Sequence, residues 1–96
     1  SEKYKVKWTS GFKKDFKQAK KEAVILTFDK GCHLIAQGNQ QQRLIDDYND
    51  YSLSGNWKQH RELHLEPDWL LVYHINEDVL VLSLVRNGTH SDIFNK

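Results

Sequence analysis

His64, Asp68, Arg86 and His90 are the side chains of this sequence whose types and spacing could move protons at a phosphate. Residues 69 to 73 are rich in strand formers, residues 61 to 66 alternate Leu63 and Leu65 with polar side chains, and Pro67-Asp68, a turn pair, separates them. A hairpin is expected there, with His64 on one strand and Asp68 at the tip. Residues 79 to 85, Val-Leu-Val-Leu-Ser-Leu-Val, read as the next strand, with Asn76-Glu77-Asp78 as the turn before it. A turn centred near 77 pairs residues whose numbers sum to about 154, which places Arg86 opposite Asp68 or Trp69. Gly88-Thr89-His90 then leave the strand at the same end. Two imidazoles suit both proton steps, because their unperturbed pKa of roughly 6.5 lies near working pH. A carboxylate can hold an imidazole in a chosen state, and a guanidinium can stabilise phosphate charge.

Each of these residues also has a plainer reading. His64 taken alone is a half-exposed strand histidine. Arg86 could equally be a structural partner of Asp68, a pair that fixes the hairpin. Trp57, Trp69 and Phe94 suit core packing as well as stacking on a single-stranded base. His33, His60 and His74 are assigned no role. A zinc site is not expected, since Cys32 is alone.

The elements that must position these groups follow from periodicity. Residues 3 to 8 alternate Lys3, Lys5 and Lys7 with Tyr4, Val6 and Trp8, the pattern of a half-buried strand. Thr9 or Ser10 offers an N-cap, after which Phe12, Phe16, Ala19 and Ala23 recur at helical spacing, with Lys13, Lys14, Lys17, Lys20 and Lys21 on the opposite side. A second helix is expected from about Thr27 to Gln37, its stop signal Gly38. Gly31 weakens that helix. The polar run Asn39 to Arg43 begins a connection that reaches Leu53 and Gly55. In the first hairpin strand Arg61, Leu63 and Leu65 share one face, and His60, Glu62, His64 and Glu66 the other. The two following strands are apolar on both faces and therefore central. The expected architecture is an α+β sandwich: a strand, two helices, an antiparallel three-strand meander and a short C-terminal helix near Ser91 to Phe94.

A chain of 96 residues, 39% hydrophobic and with one proline, supports a single folded domain over residues 1–96. No stretch approaches a membrane span, no secretory signal opens the chain, and the lone cysteine excludes an internal disulfide, so a reducing, cytoplasmic setting and no membrane partner are expected. The net charge of +1 conceals a strong asymmetry. Residues 1 to 22 hold eight lysines against Glu2, Asp15 and Glu22, a net of +5, while the remaining 74 residues hold six basic and ten acidic side chains, a net of −4. Lys3, Lys5, Lys7, Lys13, Lys14, Lys17, Lys20 and Lys21 could be an ordinary solvated face, but their density favours a phosphate-rich partner.

Gly55-Asn56-Trp57-Lys58, Arg61-Glu62-Leu63-His64, Glu66-Pro67-Asp68-Trp69-Leu70-Leu71-Val72-Tyr73 and Arg86-Asn87-Gly88-Thr89-His90-Ser91-Asp92-Ile93-Phe94 occur in that order. In them the chain resembles the YafQ branch of the RelE/ParE toxin superfamily, most closely from Tyr48 to Phe94 and least between Ala23 and Arg43. The resemblance implies a RelE-like fold and a bacterial toxin, restrained by a cognate antitoxin, that enters the ribosomal A site and cuts mRNA without a metal or other cofactor. The toxin itself is expected to be monomeric outside the antitoxin complex, and the lysine rows would then face ribosomal RNA.

By the same resemblance His64, Asp68 and His90 are catalytic and Arg86 and Phe94 belong to the site, with Tyr51, Trp69 and Phe94 as candidate substrate-binding side chains. RNA can be cut by its own 2′-hydroxyl if a base removes that proton, an acid protonates the departing 5′-oxygen, and a cation stabilises the phosphorane. His90 is assigned as the acid, Asp68 with His64 as the base side, and Arg86 to the phosphate. Which group takes the proton stays open at this point. One departure stands out: the family usually has a catalytic histidine just before the Leu-x-Gly-x-Trp segment, where this chain has Tyr51. Two competing readings remain, a ParE-like toxin that is not a nuclease and an inactive antitoxin-binding module. The fold alone does not separate them; the His/Asp/His set does.

Overall fold

The computed structural model describes residues 2–88. His90, Phe94 and the expected C-terminal helix lie outside that range. Strand β1 (Lys5–Trp8) is followed by helices α1 (Ser10–Gln18), α2 (Glu22–Gln37) and α3 (Gln41–Tyr48), and then by β2 (Tyr51–Ser52). A single 3-10 turn at Gly55–Trp57 leads into β3 (Arg61–Glu66), β4 (Trp69–Asn76) and β5 (Val79–Asn87). The five strands form one sheet in the order β1-β5-β4-β3-β2. The α+β layering is the expected one, and β4 and β5 are central, as their two apolar faces require.

Three features depart from the sequence reading. The chain from Gln41 to Tyr48 is a helix rather than part of a connection. It presents Leu44 and Tyr48, four residues apart, to the core, and Asn49 ends it at φ 52°, a left-handed conformation that asparagine tolerates. α2 starts at Glu22, five residues before the expected Thr27, which lets Val24 enter the core beside Phe28; Ala23, expected on the buried face of the first helix, is exposed. The meander is also extended on both sides, because β1 pairs with β5 in parallel and β2 pairs with β3 antiparallel.

All three helices lie over one face of the sheet. Phe12, Val24, Phe28, Leu34, Ile35 and Leu44 pack there against Leu63, Leu65, Leu71, Tyr73, Leu80, Leu82 and Val85. Trp8 meets Phe12 edge-on at 4.9 Å and Phe16 at 5.0 Å, so the aromatic cluster couples β1 to α1 and, through Phe28, to α2. Thr9 caps α1 by accepting from the Phe12 N–H at 3.1 Å. The same hydroxyl donates to the Leu82 carbonyl at 2.9 Å, and the Asp15 carboxylate accepts from the Val85 N–H at 3.2 Å. β1 ends at Trp8, and these two side chains complete the edge of β5 beyond it.

The β4–β5 register also differs from the expected one. Asn76 pairs with Val79 around a two-residue turn, and an irregularity between Val72 and Tyr73 leaves Ser83 as an extra residue on β5. Arg86 consequently lies opposite Leu70, and Trp69 opposite Asn87. The turn at Glu77-Asp78, with Glu77 at φ 56°, and the added residue move the pairing past the register that a turn centred near 77 implies.

Candidate active site

β3 carries His64 and Glu62 on the sheet face away from the helices, since Leu63 and Leu65 fill the helix side. His64 pairs across β4 with Leu70, and Leu70 with Arg86, so the three stand in one row across three strands. At ordinary strand spacing the His64 and Arg86 backbones are roughly 10 Å apart. A bulge at Leu65 separates the His64–Leu70 and Glu66–Trp69 pairs, a local twist of the kind that re-aims side chains at sites. Pro67 and Asp68 form the expected turn. The Gly88 N–H donates to the Asp68 carbonyl at 2.6 Å, so Gly88, two residues before His90 in the sequence, stands beside Asp68.

Arg86 is not the partner of Asp68. Its Nε lies 3.3 Å from the Asp15 carboxylate on α1, with the arginine side chain 52% exposed. Trp69, half-buried, lines an open cleft of about 740 Å³ with Lys14, Asp15, Gln18, Arg86 and Asn87. This cleft joins Arg86 to the lysine-bearing helix. Lys3, Lys5, Lys7, Lys13, Lys14, Lys17, Lys20 and Lys21 are all exposed. Lys5 and Lys7 lie on the edge strand of the sheet, where charge also discourages pairing with another chain. Lys3 reaches over the Tyr4 ring at 5.5 Å.

Tyr51 pairs directly with Glu62 across β2 and β3, which puts it on the His64 face. Its ring centroid is 6.2 Å from that of His64. Burial first, and then a hydrogen bond to Glu62 and the charge of that carboxylate, push the Tyr51 phenol well above its ordinary pKa. Glu62 itself is wholly buried, with one oxygen 3.7 Å from His64 Nε2. His64 Nδ1 is buried with no hydrogen-bond partner among the described residues. A second cleft, about 490 Å³, opens beside His64 between Asp47, Tyr48, Asn49, Glu66 and Pro67.

The strand alternation already put Glu62 on the His64 face, but a carboxylate in that position reads as solvated. Asp50 carried no local signal at all. It is 3% exposed, accepts from Arg61 Nε at 2.5 Å and from the Tyr73 hydroxyl, and so anchors the chain immediately before Tyr51. Burial and the Asp50 charge push the Tyr73 phenol far up. Burial, helped by Glu2 and Asp29, pushes the Cys32 thiol up to about 11, away from the thiolate form that a nucleophile needs. Among the described residues no group of three or more His, Cys, Asp or Glu side chains could hold a metal ion, and no helix is long and apolar enough to cross a membrane.

A family model described as a bacterial toxin of a type II toxin–antitoxin system, YafQ, matches residues 4–95. The mRNA interferase toxin YafQ of Escherichia coli strain B / BL21-DE3 is 32% identical over 89 residues, covering 93% of this chain and 94% of that protein. The protein of the same name from Escherichia coli strain K12 is 43% identical over 47 residues, 49% of each chain. The crystal structure of the E. coli DinJ-YafQ toxin–antitoxin complex superposes with a TM-score of 0.75 at 28% identity, covering 96% of this chain and 98% of that one.

Proposed function

This chain belongs to the bacterial YafQ family of type II toxin–antitoxin toxins, and from that premise we propose that it is an mRNA endoribonuclease that cuts on the ribosome. The observation that carries this reading is the convergence of His64, the Asp68 turn and the departing Gly88 at one end of β3, β4 and β5. The 2′-hydroxyl attacks the adjacent phosphorus, its proton goes to the base side formed by His64 and Asp68, and the 5′-oxygen leaves with a proton from His90. His90 takes that role from the family pattern. Arg86 meets the phosphate after exchanging Asp15 for it, and Trp69, Phe94 and Tyr51 contact the nucleotides. No metal or cofactor takes part.

The lysine-rich N-terminal third holds the toxin to ribosomal RNA through backbone contacts that carry no sequence information. A cognate antitoxin restrains it, as the complex of the E. coli relative supports, and the working place is the cytoplasm. Primer extension after induction without antitoxin tests the reading. Breaks are expected within codons of translated messages, together with growth arrest. Harmless high-level expression with intact messages would contradict the proposal and favour an inactive antitoxin-binding module.

A further inference from the structure

Glu62 is buried to 0% exposure, and the identified groups around its carboxylate are the Tyr51 hydroxyl and the His64 imidazole. A wholly buried carboxylate is costly unless polar neighbours receive it, so its place on the working face calls for a reason. The β-ladder supplies the geometry. Tyr51 stands directly across from Glu62, His64 follows two residues along the same strand and face, and the tyrosine and histidine rings lie 6.2 Å apart.

A hydroxyl has one proton to donate and two lone pairs with which to accept. The Tyr51 hydroxyl donates to the Glu62 carboxylate across the ladder, so toward an incoming ribose the phenol oxygen presents a lone pair. Tyr51 also retains contact with solvent at 39% exposure, whereas Glu62 has none. Tyr51 is thus the member of the pair that substrate can reach.

We infer that Glu62 is a positioning residue that acts through Tyr51, holding its hydroxyl proton so that the phenol oxygen accepts the 2′-hydroxyl of the substrate and passes that proton load to the carboxylate. The inference rests on the ribonuclease reading above and moves the final acceptor of the 2′-hydroxyl proton from His64 and Asp68 to Glu62, leaving His64 to orient that carboxylate. As the 2′-oxygen bonds to phosphorus, its proton moves to the Tyr51 oxygen, and the proton already on Tyr51 moves to Glu62. The bond from phosphorus to the 5′-oxygen breaks, and that oxygen takes a proton from the acid. No free phenolate forms at any stage, which suits a phenol whose ionisation the site opposes. His64 flanks the same carboxylate and keeps it oriented.

Single-turnover cleavage of ribosome-bound mRNA by wild type, Glu62→Gln, Tyr51→Phe and the double variant tests this, with thermal melts of each protein. Glu62→Gln and Tyr51→Phe are each expected to lower the cleavage rate constant about 100-fold, the scale of general-base assistance, with the toxin concentration giving half-maximal rate little changed. In the Tyr51→Phe background Glu62→Gln should cost nothing further, since its route to substrate is already gone. A merely structural glutamate would instead multiply the two losses, and that result overturns the inference. Should Glu62→Gln fail to fold, Tyr51→Phe decides alone: full activity there overturns it. Cleavage by wild type with no loss in either single variant refutes this proposal and leaves the ribonuclease reading intact, whereas no cleavage by wild type refutes both.

Discussion

Replacing Asp50 should be among the most damaging single changes in this protein, although it lies in an irregular segment between α3 and β2. The carboxylate is 3% exposed and takes a proton donor from each of two strands, Arg61 Nε on β3 at 2.5 Å and the Tyr73 hydroxyl on β4. Asp50→Ala strands a guanidinium that is only 25% exposed and a phenol that is buried. Losing one partner of a buried pair costs about 3–5 kcal/mol, because the remaining charge stays desolvated. Asp50→Asn keeps the shape and one acceptor, so about 2–3 kcal/mol is expected, the worth of a hydrogen bond to a charged group. A domain of this size is stable by only about 5–15 kcal/mol. Urea unfolding followed by tryptophan fluorescence should therefore show a much lower midpoint for Asp50→Ala at unchanged slope, and melting should fall by roughly 4–8 °C per kcal/mol. Asp47→Ala is the control. Its partner Arg43 is 3.6 Å away, both side chains are more than half exposed, and the loss should stay under about 1 kcal/mol. If Asp50→Ala cost less than about 1 kcal/mol, the buried network would not be what fixes β2 beside β3.

Gly31 sits inside α2, where an added Cβ would meet Leu63 Cδ2 at 3.6 Å, an ordinary contact, so Gly31→Ala should stabilise by about 0.5–1 kcal/mol in the same titration. Gly38→Ala should do the reverse, because φ is +80° there and the new carbon would lie 2.6 Å from Lys3 Cδ. Burial, with His60 adding to it, pushes the His74 imidazole below its ordinary pKa. The unfolded chain therefore binds a proton that the folded one refuses, and stability should be lost as pH falls through about 6.5; melting across that range should drop less steeply in His74→Gln. Lys13→Glu with Lys17→Glu should weaken ribosome binding and lower its salt slope by roughly one for each phosphate that is no longer neutralised, while leaving the melting temperature nearly unchanged.

What the sequence disclosed was whatever local chemistry governs. Apolar residues on both faces marked β4 and β5 as central, Thr9 announced the start of α1, Gly38 the end of α2, and Pro67-Asp68 the tip of the first hairpin. Nothing local announces that β1 pairs in parallel with β5 from the far end of the chain, or that Asp15 binds Arg86 and the Val85 N–H across 70 residues. α3 escaped because Leu44 and Tyr48 are a short apolar signal inside a polar run. The register error came from Ser83, whose serine carries no sign of being an extra residue in a strand. Glu62 shows the limit most clearly. Its face was readable from alternation, whereas its burial goes with β2 pairing beside β3 and setting Tyr51 across from it, a consequence of the tertiary fold.

The central claim is that the substrate's own 2′-hydroxyl is the nucleophile, with His90 as the acid that protonates the departing 5′-oxygen. Single-turnover cleavage of ribosome-bound mRNA carrying a 2′-deoxy sugar at the scissile nucleotide tests it most directly. Cutting should vanish on that message, while the all-ribose message yields a cyclic or 3′-phosphate and a free 5′-hydroxyl, and His90→Ala should lower the rate about 100-fold or more. Cleavage of the deoxy-substituted message at the ribose rate, or products bearing a 5′-phosphate, would contradict it.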